Sequence, residues 1–191
     1  MWRTPPGVPR SHSCERLILA SMISVLGPGD AAAFWQLRLQ ALHHDPQAFG
    51  ESADEHHATS VEALAARLDA TTLENFVLGA FLDGQLVGTA GFFRNPTLKR
   101  KHKGKVWGMY VADSARGQGI GRALLLALIE RARQIPDLEE VLLSVAVTQA
   151  AARTLYASLG FESYGLERNA LRVGEQSIDE DYMALKLRKP D

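Results

Sequence analysis

A single cysteine, Cys14, stands in a chain of 191 residues. One thiol excludes an internal disulfide and a cysteine-based metal site, and it suits a reducing interior. No apolar stretch approaches the roughly 18 residues that a membrane-spanning helix needs. The opening MWRTPPGVPRSHSCER lacks the compact apolar segment of a signal peptide. These absences predict a cytoplasmic protein with no membrane partner. Strong net charge is missing too: 21 lysines and arginines stand against 22 aspartates and glutamates, a formal charge of −1. No global field draws nucleic acid or anionic lipid, so any anion site must be local.

What is present suits one medium-sized domain, since 46% hydrophobic and 23% charged residues are ordinary values for a globular chain. Prolines and polar residues crowd positions 4 to 13 and break periodicity, which predicts a flexible extension over 1–15 and a single domain over 16–191. A strand is expected near 17–25, then a turn at Gly27-Pro28-Gly29 and a helix capped by Asp30. Phe34, Leu37, Arg38 and Ala41 share its face, and Asp45-Pro46 ends it. Ser60 precedes a second helix in SVEALAARLDA.

The period then changes. Two β-rich runs flank Asp83-Gly84, which predicts antiparallel strands at 75–82 and 85–94 around a tight hairpin turn. A strand at 105–112 follows the basic connector NPTLKRKHKGK. After it come a glycine loop, a helix to about Gln134, a strand in EVLLSVAVT, a helix in AAARTLYASLG, and two last strands around FESYGLERNALRV and IDEDYMALKL. The fold class is α/β (α+β), a mixed sheet with helices inserted between its strands and no internal repeat.

The glycine loop, ADSARGQGIGRALL, joins an apolar run to a helix-patterned one. A helix N-terminus presents unpaired N–H groups and the positive end of the macrodipole. Gly117, Gly119 and Gly121 let an anion approach that backbone closely, and Arg116 and Arg122 bracket it with fixed charge. The segment reads as a clasp for a phosphorylated ligand. The alternative is a strand-to-helix turn whose glycines only relieve crowding. Two phosphate motifs are excluded by spacing. Between Gly117 and Gly121 lie three residues and not four, with no Lys-Ser/Thr after them, so there is no Walker loop. The dinucleotide fingerprint requires a glycine where Arg122 or Leu124 stands.

Taken together, YVADSARGQGIGRALL and VAVTQAAARTLYASLGFESYG resemble the GNAT superfamily of N-acetyltransferases, which use acetyl-CoA. The first is similar to that family's Arg/Gln-x-x-Gly-x-Gly/Ala loop. The second is similar to its later strand, helix, Leu-Tyr pair and Gly-Phe turn. The resemblance implies a twisted mixed sheet of about 6–7 strands, with helices on both faces, splayed between the strands ending at Val111 and Thr148. It implies that the coenzyme's pyrophosphate takes N–H groups from about Gln118, Gly119, Ile120, Gly121, Arg122 and Ala123. The pantetheine arm is implied to pair with backbone at Met109, Tyr110 and Val111. Tyr156 falls on the family's tyrosine that protonates the departing thiolate; contact with the ligand alone and membership of its helix's buried stripe are the other readings.

Two departures from the family pattern stand out. Gln149 replaces the frequent asparagine that contacts the pantetheine, and RKHKGKVWGMYVA carries no carboxylate to serve as base. Base candidates lie elsewhere, at Glu51, Asp54, Glu55, His56 and His57, and at Asp179 and Glu180. Adjacent histidines on a helix diverge by about 100°, which argues against metal at His43-His44 or His56-His57. The basic run LKRKHKGK lacks the interleaved aromatics of a nucleic-acid site.

The resulting expectation is direct acetyl transfer from acetyl-CoA to a primary amine of a small molecule or peptide. A backbone N–H near Val111 would stabilise the oxyanion, and neither metal nor nucleic acid would take part. The rival readings are a non-catalytic coenzyme A-binding module and a nucleotide-phosphate binder. A homodimer through the C-terminal strands is left open.

Overall fold

A computed structural model describes residues 22–187. The expectations for residues 1–15, for Cys14 and for the first part of the 17–25 strand lie outside this range. Among the described residues, seven strands form one sheet in the order β1-β2-β3-β4-β5-β7-β6. They are β1 (Ile23–Val25), β2 (Asn75–Leu82), β3 (Gln85–Arg94), β4 (Lys103–Val111), β5 (Glu140–Ala146), β6 (Glu162–Val173) and β7 (Gln176–Lys186). The helices are α1 (Ala31–His44), α2 (Ala53–His57), α3 (Val61–Asp69), α4 (Ile120–Arg133) and α5 (Ala150–Ser158).

Local chemistry explains most boundaries. Ala31, Phe34, Leu37, Ala41 and Leu42 are the buried residues of α1, one apolar stripe at helical spacing. Asp30 occupies the N-cap position of α1 but makes no side-chain cap bond there. Its carboxylate accepts instead from the Gly27 N–H at 2.8 Å, closing the 3-10 turn Pro28–Asp30. Ser60 caps α3 as expected, accepting from the Ala63 N–H at 3.1 Å. The short α2 escaped the sequence reading, because five residues carry too little periodicity. A capping box secures it, with Ser52 and Glu55 each accepting the other's backbone N–H.

The β2–β3 hairpin turns at Asp83 (φ 48°) and Gly84 (φ 76°), the left-handed pair that two-residue hairpins require. β4 starts two residues earlier than expected, at Lys103. β5 ends at Ala146, short of the expected Thr148.

Two layers of helices enclose the sheet. α4 buries Ile120, Leu124, Leu125, Leu128, Ile129 and Ala132 against one face, where α5 adds Tyr156. Full burial of leucines such as Leu124, Leu125 and Leu128 contributes about 1.5–3 kcal/mol each. On the other face α1 and α3 pack Phe34, Leu64 and Leu68 against Val77 and Trp107. Gly91 makes room for that tryptophan: a Cβ at position 91 would stand 2.2 Å from the indole.

β4 carries a bulge opposite Ala90, where the pairing shifts from Gly91↔Trp107 to Thr89↔Tyr110. Gly108 adopts φ 59° in the bulge, and the Thr89 hydroxyl donates to its carbonyl at 3.1 Å. The extra residue puts Trp107 and Tyr110 on the α1 face while Met109 and Val111 pack toward α4.

Candidate active site

β4 and β5 are parallel neighbours but pair only at Lys103↔Glu140, Gly104↔Val141 and Lys105↔Leu142. Beyond that point they part, while β5 continues to pair with β7 as far as Ala146. Backbone groups of β4 from Val106 to Val111 therefore face an open cleft. The cleft is a cavity of about 430 Å³ lined by both strands, the glycine loop, the start of α5 and the segment after α1. That volume falls in the range of small-molecule sites.

The glycine loop closes one end. Gly117 (φ 76°) and Gly119 (φ 79°) take left-handed conformations, and Gly119 is the N-cap of α4. The helix's first internal bond runs from the Ala123 N–H to the Gly119 carbonyl at 3.0 Å. The Ala123 N–H is thereby spent, which narrows the expected donor set to the N–H groups before it. Gln118 does not line the cavity; its side-chain amide donates to the Ser114 carbonyl at 3.4 Å. Arg116, Gly117, Gly119, Ile120, Gly121, Arg122 and Gln149 do line it, as do Met109, Tyr110 and Val111.

The two arginines are less free than the sequence suggests. Arg116 donates to the Val111 carbonyl at 3.0 Å and to Asp45 at 2.6 Å, and a further N–H group stands 3.0 Å from Asp113. It staples β4, the glycine loop and the end of α1 together. Arg122 donates to the Ser158 hydroxyl at 2.9 Å, tying α4 to α5.

Tyr156 lines the cavity while only 6% exposed, and its hydroxyl has no hydrogen-bond partner among the described residues. Burial pushes this phenol up to about 12, so it stays neutral and able to donate across the ordinary pH range. The Tyr110 hydroxyl is likewise buried and unpartnered among the described residues. Burial raises it, and the nearby Asp113 charge adds to the effect.

Sequence reasoning missed the wall formed by Asp45, Ala48 and Phe49. The Asp45-Pro46 stop announced a turn there but not where it would fold. Phe49 lies between the Arg38 guanidinium, 4.4 Å from its ring, and Tyr110, 6.3 Å away edge-on. Arg38 holds this segment by clamping Glu51 with two N–H groups at 3.0 and 2.9 Å.

The base candidates separate by surroundings. Glu51 is committed to Arg38, and Glu55 to the α2 cap. His56 is buried and stacked on Trp35 at 5.3 Å, and His57 meets the same ring edge-on at 5.4 Å. Asp54 is exposed on α2. Asp179 accepts the Asn169 N–H at 2.8 Å. Glu180 has no hydrogen-bond or ion-pair partner among the described residues. No group of three or more His, Cys, Asp or Glu among the described residues is placed to hold a metal ion. The basic run 98–105 does not touch the cavity.

Known proteins share this fold. Residues 39–161, more than half of the chain, match the Acetyltransferase (GNAT) family. An N-alpha-acetyltransferase of Sulfurisphaera tokodaii is 35% identical over 107 residues, 51% of this chain and 63% of that protein. The chain thus spans less than two thirds of that relative's length. A GNAT-family acetyltransferase from Streptococcus pneumoniae superposes with a TM-score of 0.79 at 24% identity, covering 87% of this chain and 98% of that one. yncA, a putative acetyltransferase from Salmonella typhimurium solved with its cofactor acetyl-CoA, gives 0.76 at 23% identity, covering 88% and 95%. With cleft, glycine loop and sequence match in agreement, this chain belongs to the GNAT family of acetyltransferases.

Proposed function

We propose that the protein is an acetyl-CoA-dependent N-acetyltransferase that moves the acetyl group directly onto a primary amine of a small molecule or peptide. The observation that carries this reading is the cleft between β4 and β5, which opens at the N-terminus of α4. The residues fit the coenzyme on their own chemistry. N–H groups at Ile120, Gly121 and Arg122 precede the first internal bond of α4 and suit a pyrophosphate. The unpaired edge of β4 at Met109 to Val111 suits an extended amide-bearing arm, because main-chain pairing is sequence-tolerant. Gln149, the residue before α5, can reach the same arm from the β5 side.

The coenzyme supplies an activated acetyl thioester. A backbone N–H near Val111 stabilises negative charge on the carbonyl oxygen, and the neutral Tyr156 hydroxyl donates its proton to the leaving thiolate. A second reading, a coenzyme A-binding module without catalysis, is favoured by the lack of a carboxylate on β4.

Calorimetric titration with acetyl-CoA, followed by a thiol-release screen over an amine panel, tests both readings. Binding that disappears in Gly119→Glu together with thiol release supports the enzyme. Binding without thiol release from any amine supports the module. A folded wild-type protein that does not bind acetyl-CoA overturns both.

A further inference from the structure

Resting on the N-acetyltransferase reading, we propose that Glu180 is the group that takes the proton from the acceptor ammonium. β7 pairs with β5 in unbroken register from Glu140↔Lys186 to Ala146↔Glu180. Ala146 lines the cavity, and side chains directly opposite one another on paired strands lie about 4.5–5.5 Å apart at Cβ. Strand alternation fixes the direction. The neighbouring Asp181 points toward α5, where Arg153 donates to it at 3.0 Å and Ser163 donates to it from β6. Glu180 therefore projects from the opposite face, the one that also carries Trp107, Tyr110 and Phe49. Glu180 is not itself a lining residue of the cavity; it stands one strand away, opposite Ala146.

The other carboxylate candidates are engaged elsewhere, except Asp54, which is exposed on α2 and does not line the cavity. Glu51 neutralises Arg38, Glu55 caps α2 and Asp179 accepts from Asn169. Glu180 alone combines a carboxylate without a partner among the described residues and a register position beside the cavity. Its titratable neighbours are Glu167, paired opposite it on β6, and Tyr182, two residues along β7, whose hydroxyl donates to Glu167. β5 offers Ser144 and Ala146, and the Pro46–Ala48 turn beside β6 carries no charge.

The proton balance closes. Glu180 accepts one proton from the ammonium, directly or through one water, and passes it to solvent. The freed nitrogen lone pair forms the C–N bond, and the C–S bond breaks. The thiolate takes the Tyr156 proton, and the tyrosinate recovers the second proton lost by the nitrogen.

The test compares wild type with Glu180→Gln, using spermidine and a short alanine-initiated peptide as acceptors. The expected result is a fall in kcat/KM of about 100-fold at neutral pH, with acetyl-CoA affinity unchanged by calorimetry. The wild-type profile should level off with rising pH. The variant should keep climbing, about tenfold per pH unit, toward the acceptor's own pKa, about 10.4 for a lysine-like amine of spermidine and about 8 for the α-amino group of the peptide. A readout independent of turnover is the carboxyl carbon resonance of Glu180, assigned by its loss in the variant. In the coenzyme A complex it should move when spermidine or the peptide is added. Wild-type turnover matched by the variant at every pH, or a resonance that neither amine moves, overturns the assignment of Glu180 alone. Absence of thiol release from the wild type with these two amines and with every other member of the amine panel overturns the assignment together with the reading beneath it.

Discussion

Arg116 reaches across 71 residues of sequence to donate to Asp45 at 2.6 Å, so the coenzyme-side loop and the segment carrying Phe49 share one cation. Asp113 also lies on that guanidinium, which leaves the cluster of Arg116, Asp45 and Asp113 with a formal charge of −1. An incoming pyrophosphate meets a cation already outnumbered by carboxylates.

Asp45→Asn should therefore tighten acetyl-CoA binding by about two- to fivefold at low salt, with the gain fading at high salt. The pair is partly exposed, at 47% and 23% of the two side chains, so the stability loss should stay below about 1 kcal/mol. Calorimetry at two salt concentrations decides it. Unchanged or weaker binding at low salt would show that Arg116 acts purely as a staple.

Gly119→Ala places a side chain at φ 79°, where an L-residue costs about 1–2 kcal/mol. Relief of that strain would turn the N–H groups of the first turn away from the cleft. Denaturant unfolding should report the loss, and acetyl-CoA affinity should fall with it. A stable variant with wild-type affinity would mean that the left-handed cap is dispensable.

Tyr156→Phe should lower kcat by about 100-fold or more while leaving acetyl-CoA affinity near wild type, because only the proton donor is removed. Loss of affinity with kcat preserved would assign Tyr156 to binding instead.

The same residue has a signature in alkaline stability. Its folded-state value, raised from 10.0 to about 12 by burial, favours the neutral phenol in the native state. Its contribution is complete below pH 10 and lost as pH rises through about 12. Tyr182 behaves alike, chiefly because its hydroxyl donates to Glu167. Unfolding measured across pH 10 to 12 should show a steep decline that flattens in a Tyr156→Phe, Tyr182→Phe double variant; an equally steep decline there would refute this origin.

Gly91→Ala tests the packing beneath the cleft. A Cβ at position 91 would overlap the Trp107 indole, with atoms at 2.2 to 2.6 Å. Overpacking of this kind costs about 1–3 kcal/mol. A variant as stable as wild type would mean that the tryptophan has another resting place.

Local pattern determined a great deal. Helix stripes and strand runs have periods short enough to be read in one segment, and Asp83-Gly84 specified its own hairpin. The glycine loop was legible because a strand, three glycines and a helix lie within a few residues of one another. The motif resemblance carried Tyr156 and the unpaired edge of β4 with it. Tertiary structure alone decided the rest. Where β4 leaves β5, how the Gly108 bulge redirects Tyr110, why Arg116 faces Asp45, and which carboxylate stands beside Ala146 all depend on strand register and on contacts between distant segments. A sequence records which side chains alternate. It does not record which strand lies next to which, because that is set by the joint burial of all the apolar faces at once.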